Sequence, residues 1–441
     1  MKPTARMFHC AAALFIAAAT LTSAQTQKSP APGALQKKIY FGKEYYSESV
    51  RVLDRMWNLR KDQIGKIAER AAATLRSGGK VVWDCTAGHS NIYEVDPNLV
   101  CLPKGGMISA MEFSGQKAAI DGLGKNDMLV TNFINEQTVN AHTRGVYVVG
   151  VTNSYFRHRS YSEQDNLDKK PNYQNLELEN ISDEVLVSEA PGQVGLVSMP
   201  HIPEMKCGAG TGNFMIALYW YVVSEVANKM KNPDTPSLQY ASQYRDILMK
   251  RLDAIFKTQR PLIWKTAAMV AVKIGGGAHM WVLSSPKSVF CDAAGASMGL
   301  VLTNHYDKNT MKAGDVLFVA EVCDSTSTLM VEETRAAKAK GAFVIAVGPS
   351  NQSALKKLAD VYFDNLSPEG YGLFEIKGHD NRISLVGSLI NSIVYGAFSA
   401  QMADEMCRRG WYPKYFMSYN WGGASSGYFE WLGWSVNRVG Y

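Results

Sequence analysis

The stretch Gly314-Asp-Val-Leu-Phe-Val-Ala-Glu-Val-Cys-Asp-Ser-Thr-Ser-Thr-Leu-Met-Val-Glu-Glu-Thr-Arg-Ala-Ala-Lys-Ala-Lys-Gly-Ala-Phe-Val-Ile-Ala-Val-Gly348 decides the fold class. Two continuous apolar runs, 316–320 and 342–347, flank a helical pattern closed by Gly341. Continuous rather than alternating apolar runs suit strands buried on both faces, as in a parallel sheet. Glu332 and Glu333 near the start of the pattern and Lys338 and Lys340 near its end complement a helix dipole. The stretch reads as a βαβ unit. Its turn, Ser325-Thr-Ser-Thr328, follows a strand and opens a helix, where free backbone N–H groups and hydroxyls favour an anion. The plainer reading is that Thr328 caps the helix.

At the N-terminus, Lys2 and Arg6 precede an apolar core over 7–21, and Thr22-Ser-Ala24 supplies small residues for cleavage. Residues 1–24 therefore read as a secretory signal peptide, too short for a membrane span. A linker is expected over 25–45. The expected protein is exported, periplasmic or extracellular, and no later stretch is apolar enough to span a bilayer. The chain carries 46 basic and 40 acidic residues among 441, and no basic block interleaved with aromatics appears, which argues against nucleic acid as a partner. Cys85, Cys101, Cys207, Cys291, Cys323 and Cys407 are dispersed, so sequence selects no disulfide pairing, and the histidines show no structural-zinc spacing. No metal or cofactor is expected.

Working back toward the N-terminus, apolar residues from Leu53 to Leu75 recur at helical spacing, and Ser77-Gly-Gly79 ends that helix. Lys80-Val-Val-Trp-Asp-Cys85 reads as a strand leading into Thr86-Ala-Gly-His-Ser90. That loop superficially suggests a hydrolase nucleophile elbow, but the second glycine is missing, which leaves serine hydrolysis a distant third reading. Strands are expected over 128–132 and 146–151, the second beginning after Gly145. Residues 154–184 are polar and weakly periodic, an insertion over the site or a surface excursion. Gly208-Ala-Gly-Thr-Gly212 introduces a strongly apolar helix over 213–230.

After a Pro-containing joint at 231–240 the plan begins again: a helix bearing Tyr244, Leu248, Leu252 and Phe256, the glycines 275–277, and a strand over 279–283. The loop Ser284-Ser-Pro-Lys-Ser288 then leads to the βαβ unit and a helix over 382–409. Laid on the first half, Trp281 falls on Trp83, Ser288 on Ser90, Asp315 on Asp127 and Thr326 on Thr138. This order of parts resembles the SIS (sugar isomerase) domain family in tandem, over roughly residues 46–441. The likeness is strongest to bacterial sugar-isomerase-like proteins, through Gly88-His89-Ser90 and Ser418-Tyr-Asn420-Trp-Gly-Gly423.

The resemblance implies an α/β fold of two flavodoxin-like αβα sandwich (SIS-type) domains with parallel sheets, at 46–235 and 236–441, packed about a pseudo-two-fold. The implied partner is a small-molecule sugar, amino sugar or phosphosugar, with aldose–ketose isomerase activity or with a non-catalytic binding or sensor role; a homo-oligomer is compatible with either. The chain departs from the family's Ser-x-Ser-Gly-x-Thr loop: Glu321-Val-Cys-Asp-Ser-Thr-Ser-Thr328 keeps hydroxyls without the glycine, and Phe133-Ile-Asn-Glu-Gln-Thr138 keeps almost none.

Expected ligand contacts are Gly88, His89, Ser90, Ser325, Thr326, Ser327 and Thr328. Isomerisation needs a base and a ring-opening group. His89 suits ring opening, and Glu112, Glu204, Glu225 and Glu321 are candidate bases, of which Glu225 and Glu321 stand out by position. A single composite site, touching the first-half Gly-His-Ser loop and the second-half hydroxyl loop under the aromatic tail over 411–441, is one expected arrangement. Two independent clefts are the other.

Overall fold

The computed structural model describes residues 40–84, 111–113 (backbone only), 120–132, 134–152, 176–191, 195–202, 206–236, 238–285, 300, 302–322, 327–349, 353–367, 372–375, 382–413 and 415. The chain divides into Met1–Ile39 and a compact unit, Tyr40–Tyr441, to which all of these belong.

The first half opens with helix α1 (Phe41–Arg76), which begins inside the expected linker. It continues through strands β1 (Val81–Asp84), β2 (Met111–Phe113) and β3 (Met128–Thr131), helix α2 (Glu136–Thr143), and strands β4 (Tyr147–Thr152) and β5 (Glu184–Val187). An antiparallel hairpin, β6 (Gly195–Ser198) and β7 (Lys206–Ala209), leads into helix α3 (Thr211–Lys231). The second half opens with α4 (Gln239–Thr258) and α5 (Arg260–Gly275), and a proline begins α5 where its missing N–H costs nothing. There follow β8 (Met280–Ser285), β9 (Thr303–His305), β10 (Val316–Glu321), α6 (Ser327–Ala339) and β11 (Phe343–Gly348). The last elements are α7 (Ser353–Leu358), β12 (Val361–Asp364) and α8 (Val386–Arg408).

The βαβ unit is present as β10–α6–β11. All six residues of β10 are buried, and Gly341 closes the helix at φ +86°, a conformation that costs a side chain. Glu332 and Glu333 lie in the second turn of α6, because the helix starts earlier than the acids suggest.

Both sheets are wholly parallel, and their orders match: β2-β1-β3-β4-β5 and β9-β8-β10-β11-β12. Within each half this is the 2-1-3-4-5 order of flavodoxin-like doubly wound folds. The short outer strands β2, β5, β9 and β12 carry too few apolar residues to be marked by pattern. β5 in particular lies at the end of the segment read as a polar excursion.

Each sheet buries one face outward and one inward. Val82, Leu129 and Val148 pack with Ile120 and Ala141, while Leu317, Val319 and Val344 pack with Met330, Val331 and Ala337 of α6. The inward residues Val81, Trp83, Met128 and Val130 share one continuous core with Met280, Val282, Val316 and Phe318 and with α1, α3, α4, α5 and α8. Trp83 therefore faces the central helices and Trp281 faces away from them, so Trp281 is the counterpart of Val82. Side chains alternate along a strand, and a one-residue slip in matching sequences reverses the face.

The starts of the sheets are fastened by one aspartate each. Asp127 Oδ1 accepts Lys80 N–H at 2.7 Å and its Oδ2 accepts Gly124 N–H at 2.8 Å. Asp315 accepts His279 N–H and Lys312 N–H, both at 2.9 Å, and the Trp281 indole N–H at 2.8 Å. The Tyr45 hydroxyl on α1 donates to Ala209 O at 2.6 Å, just before α3, and Tyr244 on α4 donates to Leu385 O at 3.2 Å, just before α8. Tyr45 also fills the place a Cβ would take on Gly396 of α8, while Tyr244 meets Tyr221 of α3 edge-on at 5.7 Å. Each half's opening helix thus clasps the closing helices of both halves.

Candidate functional site

In an open parallel sheet, ligands gather outside the carboxyl ends of the strands where the order reverses. Those places are β1/β3 and β8/β10. In the first sheet the apolar run of β1 ends on Asp84, registered opposite Thr131 at the end of β3, and both are buried. In the second sheet β10 ends on Glu321, registered opposite Ser285 of β8, and Glu321 is fully buried. Each reversal point therefore sets a carboxyl group against a hydroxyl on the neighbouring strand. The acid lies on the first strand of one pair and on the second strand of the other.

Behind Glu321 runs a line of amides. Asn391 on α8 donates Nδ2–H to Glu321 O at 2.8 Å, and its Oδ1 accepts Asn365 Nδ2–H at 2.9 Å. Asn365 Oδ1 accepts Ser367 N–H at 2.9 Å. These groups tie the carboxyl ends of β10 and β12 to α8. A left-handed residue follows the fifth strand of each half, Glu189 at φ +57° after β5 and Leu366 at φ +52° after β12. Glu189 is buried and paired with Arg60 and, at 3.1 Å, with Arg55. Near Leu366, Arg251 of α4 reaches Ser367 Oγ at 3.4 Å, and burial lowers its guanidinium from the usual arginine value.

Of the sequence-predicted residues, Glu321 stands at the second reversal point. Glu225 stands elsewhere: on α3, fully buried, with Oε1 accepting Asn228 Nδ2–H at 2.8 Å and Oε2 accepting Ala241 N–H at 3.2 Å. There it supplies an acceptor to the first turn of α4, the task of a capping group. Ser327 and Thr328 form the opening of α6 in the backbone, so Thr328 is inside the helix and not its cap. Gly88, His89, Ser90, Ser325, Thr326 and Glu204 lie outside the described residues, as does the side chain of Glu112. By chain position 85–90 follow β1 and 323–326 follow β10, the two strands at the reversal points. Thr138 is committed to a capping box with Asn135, at 2.9 and 3.0 Å, which uses the one hydroxyl of the first-half loop 133–138. Sequence reading missed Asp84 and Ser285. The available signal was an acid or hydroxyl closing an apolar run.

Cysteine chemistry has a candidate pair in Cys407 and His201, with Sγ and Nδ1 3.4 Å apart. Burial, with Asp404 adding to it, pushes the Cys407 thiol up to about 12, so it remains protonated and is not a nucleophile. Cys207 is buried and Cys407 is half-buried. Among the described residues no three His, Cys, Asp or Glu side chains are grouped to hold a metal, and no helix is long and apolar enough to cross a membrane. Of the aromatic tail, Trp411 packs against Gly275 at the end of α5, and Tyr415 is buried and bridged to Leu300.

No family model matches the chain. A UPF0309 protein of Brucella anthropi is 26% identical over 146 residues, 29% of this chain and 60% of that protein, so the match spans less than two thirds of the relative's length. Among solved structures, the chain is similar to one from Silicibacter pomeroyi assigned as a phosphosugar isomerase, at 14% identity and TM-score 0.46, covering 84% of this chain and 99% of that one. It is also similar to the C-terminal domain of glucosamine-fructose-6-phosphate aminotransferase from Francisella tularensis, at 12% identity and TM-score 0.44, covering 83% and 94%. Other similar structures are named for phosphosugar isomerases or for sugar binding.

Proposed function

We propose that this chain is a SIS-type protein that binds a sugar, amino sugar or phosphosugar outside the carboxyl ends of its sheets. The observation that carries the reading is the matched 2-1-3-4-5 order of the two sheets. By chain position Gly88, His89 and Ser90 come after β1, and Ser325 and Thr326 come after β10, the strands at the two reversal points, which supports the reading. Ser327 and Thr328 add the first N–H groups of α6, which suit a phosphate. In the isomerase form of this reading, His89 opens the sugar ring and Glu321 moves the proton between adjacent carbons, with Ser285 beside it. A non-catalytic binding role is the second reading. The complete burial of Glu321 and the capping duty of Glu225 favour it. The basic, apolar N-terminal stretch supports export, which points to an amino sugar or a carbohydrate fragment outside the cytoplasm as ligand.

The test is a thermal-shift screen of free, amino and phosphorylated sugars, since a ligand that binds only the folded state raises the midpoint. A phosphorylated sugar is expected to raise it, and the Ser325→Ala/Thr326→Ala/Thr328→Ala variant is expected to lose that shift while stability falls by about 1–2 kcal/mol, a cap's worth. Unchanged affinity in the triple variant would remove the second-half loop from the site. Calorimetry then separates the arrangements: one ligand per chain, weakened by both His89→Ala and Thr326→Ala, means a composite site, and two ligands per chain mean a site in each half.

A further inference from the structure

A second cleft lies at the opposite ends of β8 and β10. About 440 Å³ of space opens there among Lys273, Ala278, His279, Lys312, Gly314 and Asp315. The first sheet shows how it arises. The turns before β1 and β8 correspond: Gly78 and Gly277 both have positive φ, at 80° and 94°, and Lys80 N–H and His279 N–H each bond the strand-start aspartate. Gly79 thus stands where Ala278 stands in the second half, and Asn126 where Gly314 stands. A Cβ on Gly79 would lie 2.3 Å from the Asn126 carbonyl oxygen, so in the first half the two turns touch. The second half carries that Cβ, on Ala278, and faces it with Gly314, whose own Cβ position meets nothing within 4 Å. The turns stand apart, and the gap is the cleft.

The lining is basic. Lys312 lines the cleft beside Gly314 and Asp315, and Lys273 Nζ lies over the Phe343 ring, 5.1 Å from its centre, at the start of β11. The floor carboxylate, Asp315, is bound by the His279 and Lys312 backbone N–H groups and the Trp281 indole, and Lys273, Lys312 and His279 are the basic residues of the lining. A phosphate group takes several charge-assisted hydrogen bonds at once. The cleft falls within the range of small-molecule sites, and exceeds what a phosphate ion alone would fill.

We propose that this cleft binds a small phosphate-bearing molecule between Lys273 and Lys312, as a second site separate from the carboxyl-end site. The six residues of β10 hold the two ends about 20 Å apart. The proposal does not rest on the carboxyl-end reading. Titration calorimetry on the full chain, with inorganic phosphate, glucose 6-phosphate and glucose as probes, tests it. Wild type is expected to bind one or both phosphate probes in an event that Lys273→Ala/Lys312→Ala weakens roughly tenfold to a hundredfold, the worth of one or two charge-assisted bonds. Lys273→Arg/Lys312→Arg is expected to keep it, and so is the Ser325→Ala/Thr326→Ala/Thr328→Ala variant, which separates it from the carboxyl-end site. The tighter of the two phosphate probes identifies the source. No event with either phosphate probe, an event indifferent to the double Ala variant, or equal binding of glucose would overturn the proposal.

Discussion

At the scale of single residues, Asp315 does the most with the least. Burial opposes its charge, but three N–H donors outweigh burial and hold its carboxyl below the usual carboxylate range. A depressed folded-state value means that its contribution is fully present above the unfolded pKa, about 3.9, and is lost as pH falls through the lower folded value. Asp315→Asn is expected to cost about 1–3 kcal/mol, because it leaves at least one buried N–H without its acceptor. Urea unfolding at pH 7 measures that loss, and the same titration near pH 3 is expected to show a smaller gap between variant and wild type. An equal gap at both pH values would mean that the charge of Asp315 is not what the three donors hold. The residue was legible in sequence as the acid of a Gly-Asp strand start matched at Asp127. Its Trp281 partner was not, because matching Trp281 to Trp83 placed the indole on the wrong face.

At the scale of elements, sequence marked the buried central strands and the long helices and missed the outer strands. β10 and β11 announce themselves by apolar runs, since both their faces are covered. β9 is three residues with only one buried, so nothing in its composition separates it from a loop. The candidate site was legible in the same uneven way. Glycine and hydroxyls drew attention to 86–90 and 325–328, which follow β1 and β10 in the chain, whereas the Asp84–Thr131 and Ser285–Glu321 pairs depend on strand register, which sequence does not print. Glu225 shows the converse: an acid late on an apolar helix looks like a base in sequence and is a cap in space. Glu225→Ala is expected to destabilise the protein by about 1–3 kcal/mol, since Ala241 N–H and Asn228 lose their acceptor. It is also expected to leave the affinity of any sugar found by the thermal-shift screen unchanged. A loss of binding without a loss of stability, measured on the same preparation, would return Glu225 to the site.

At the scale of the molecule, the two sheets are separate but the core between them is not. α3 and α8 are buried along nearly their whole length, against helices of both halves. A helix apolar all round needs cover on every side. Residues 40–441 are therefore expected to unfold in one calorimetric transition, with the van't Hoff enthalpy matching the measured enthalpy. Two resolved transitions would show that the halves at 46–235 and 236–441 are separate folding units joined by a weak contact.

The burial of α3 also has a consequence for how the protein is made. During synthesis α3 leaves the ribosome before α4, α5 and α8, the helices of the second half that share its core. Until residue 408 has emerged, the nascent chain carries a finished apolar rod with part of its cover still untranslated. Contacts between segments so distant in the chain form late, and surface left bare in the meantime invites association with other chains. The arrangement that makes the finished molecule a single body thus leaves the apolar surface of its first half without its full cover for as long as translation of the second half takes.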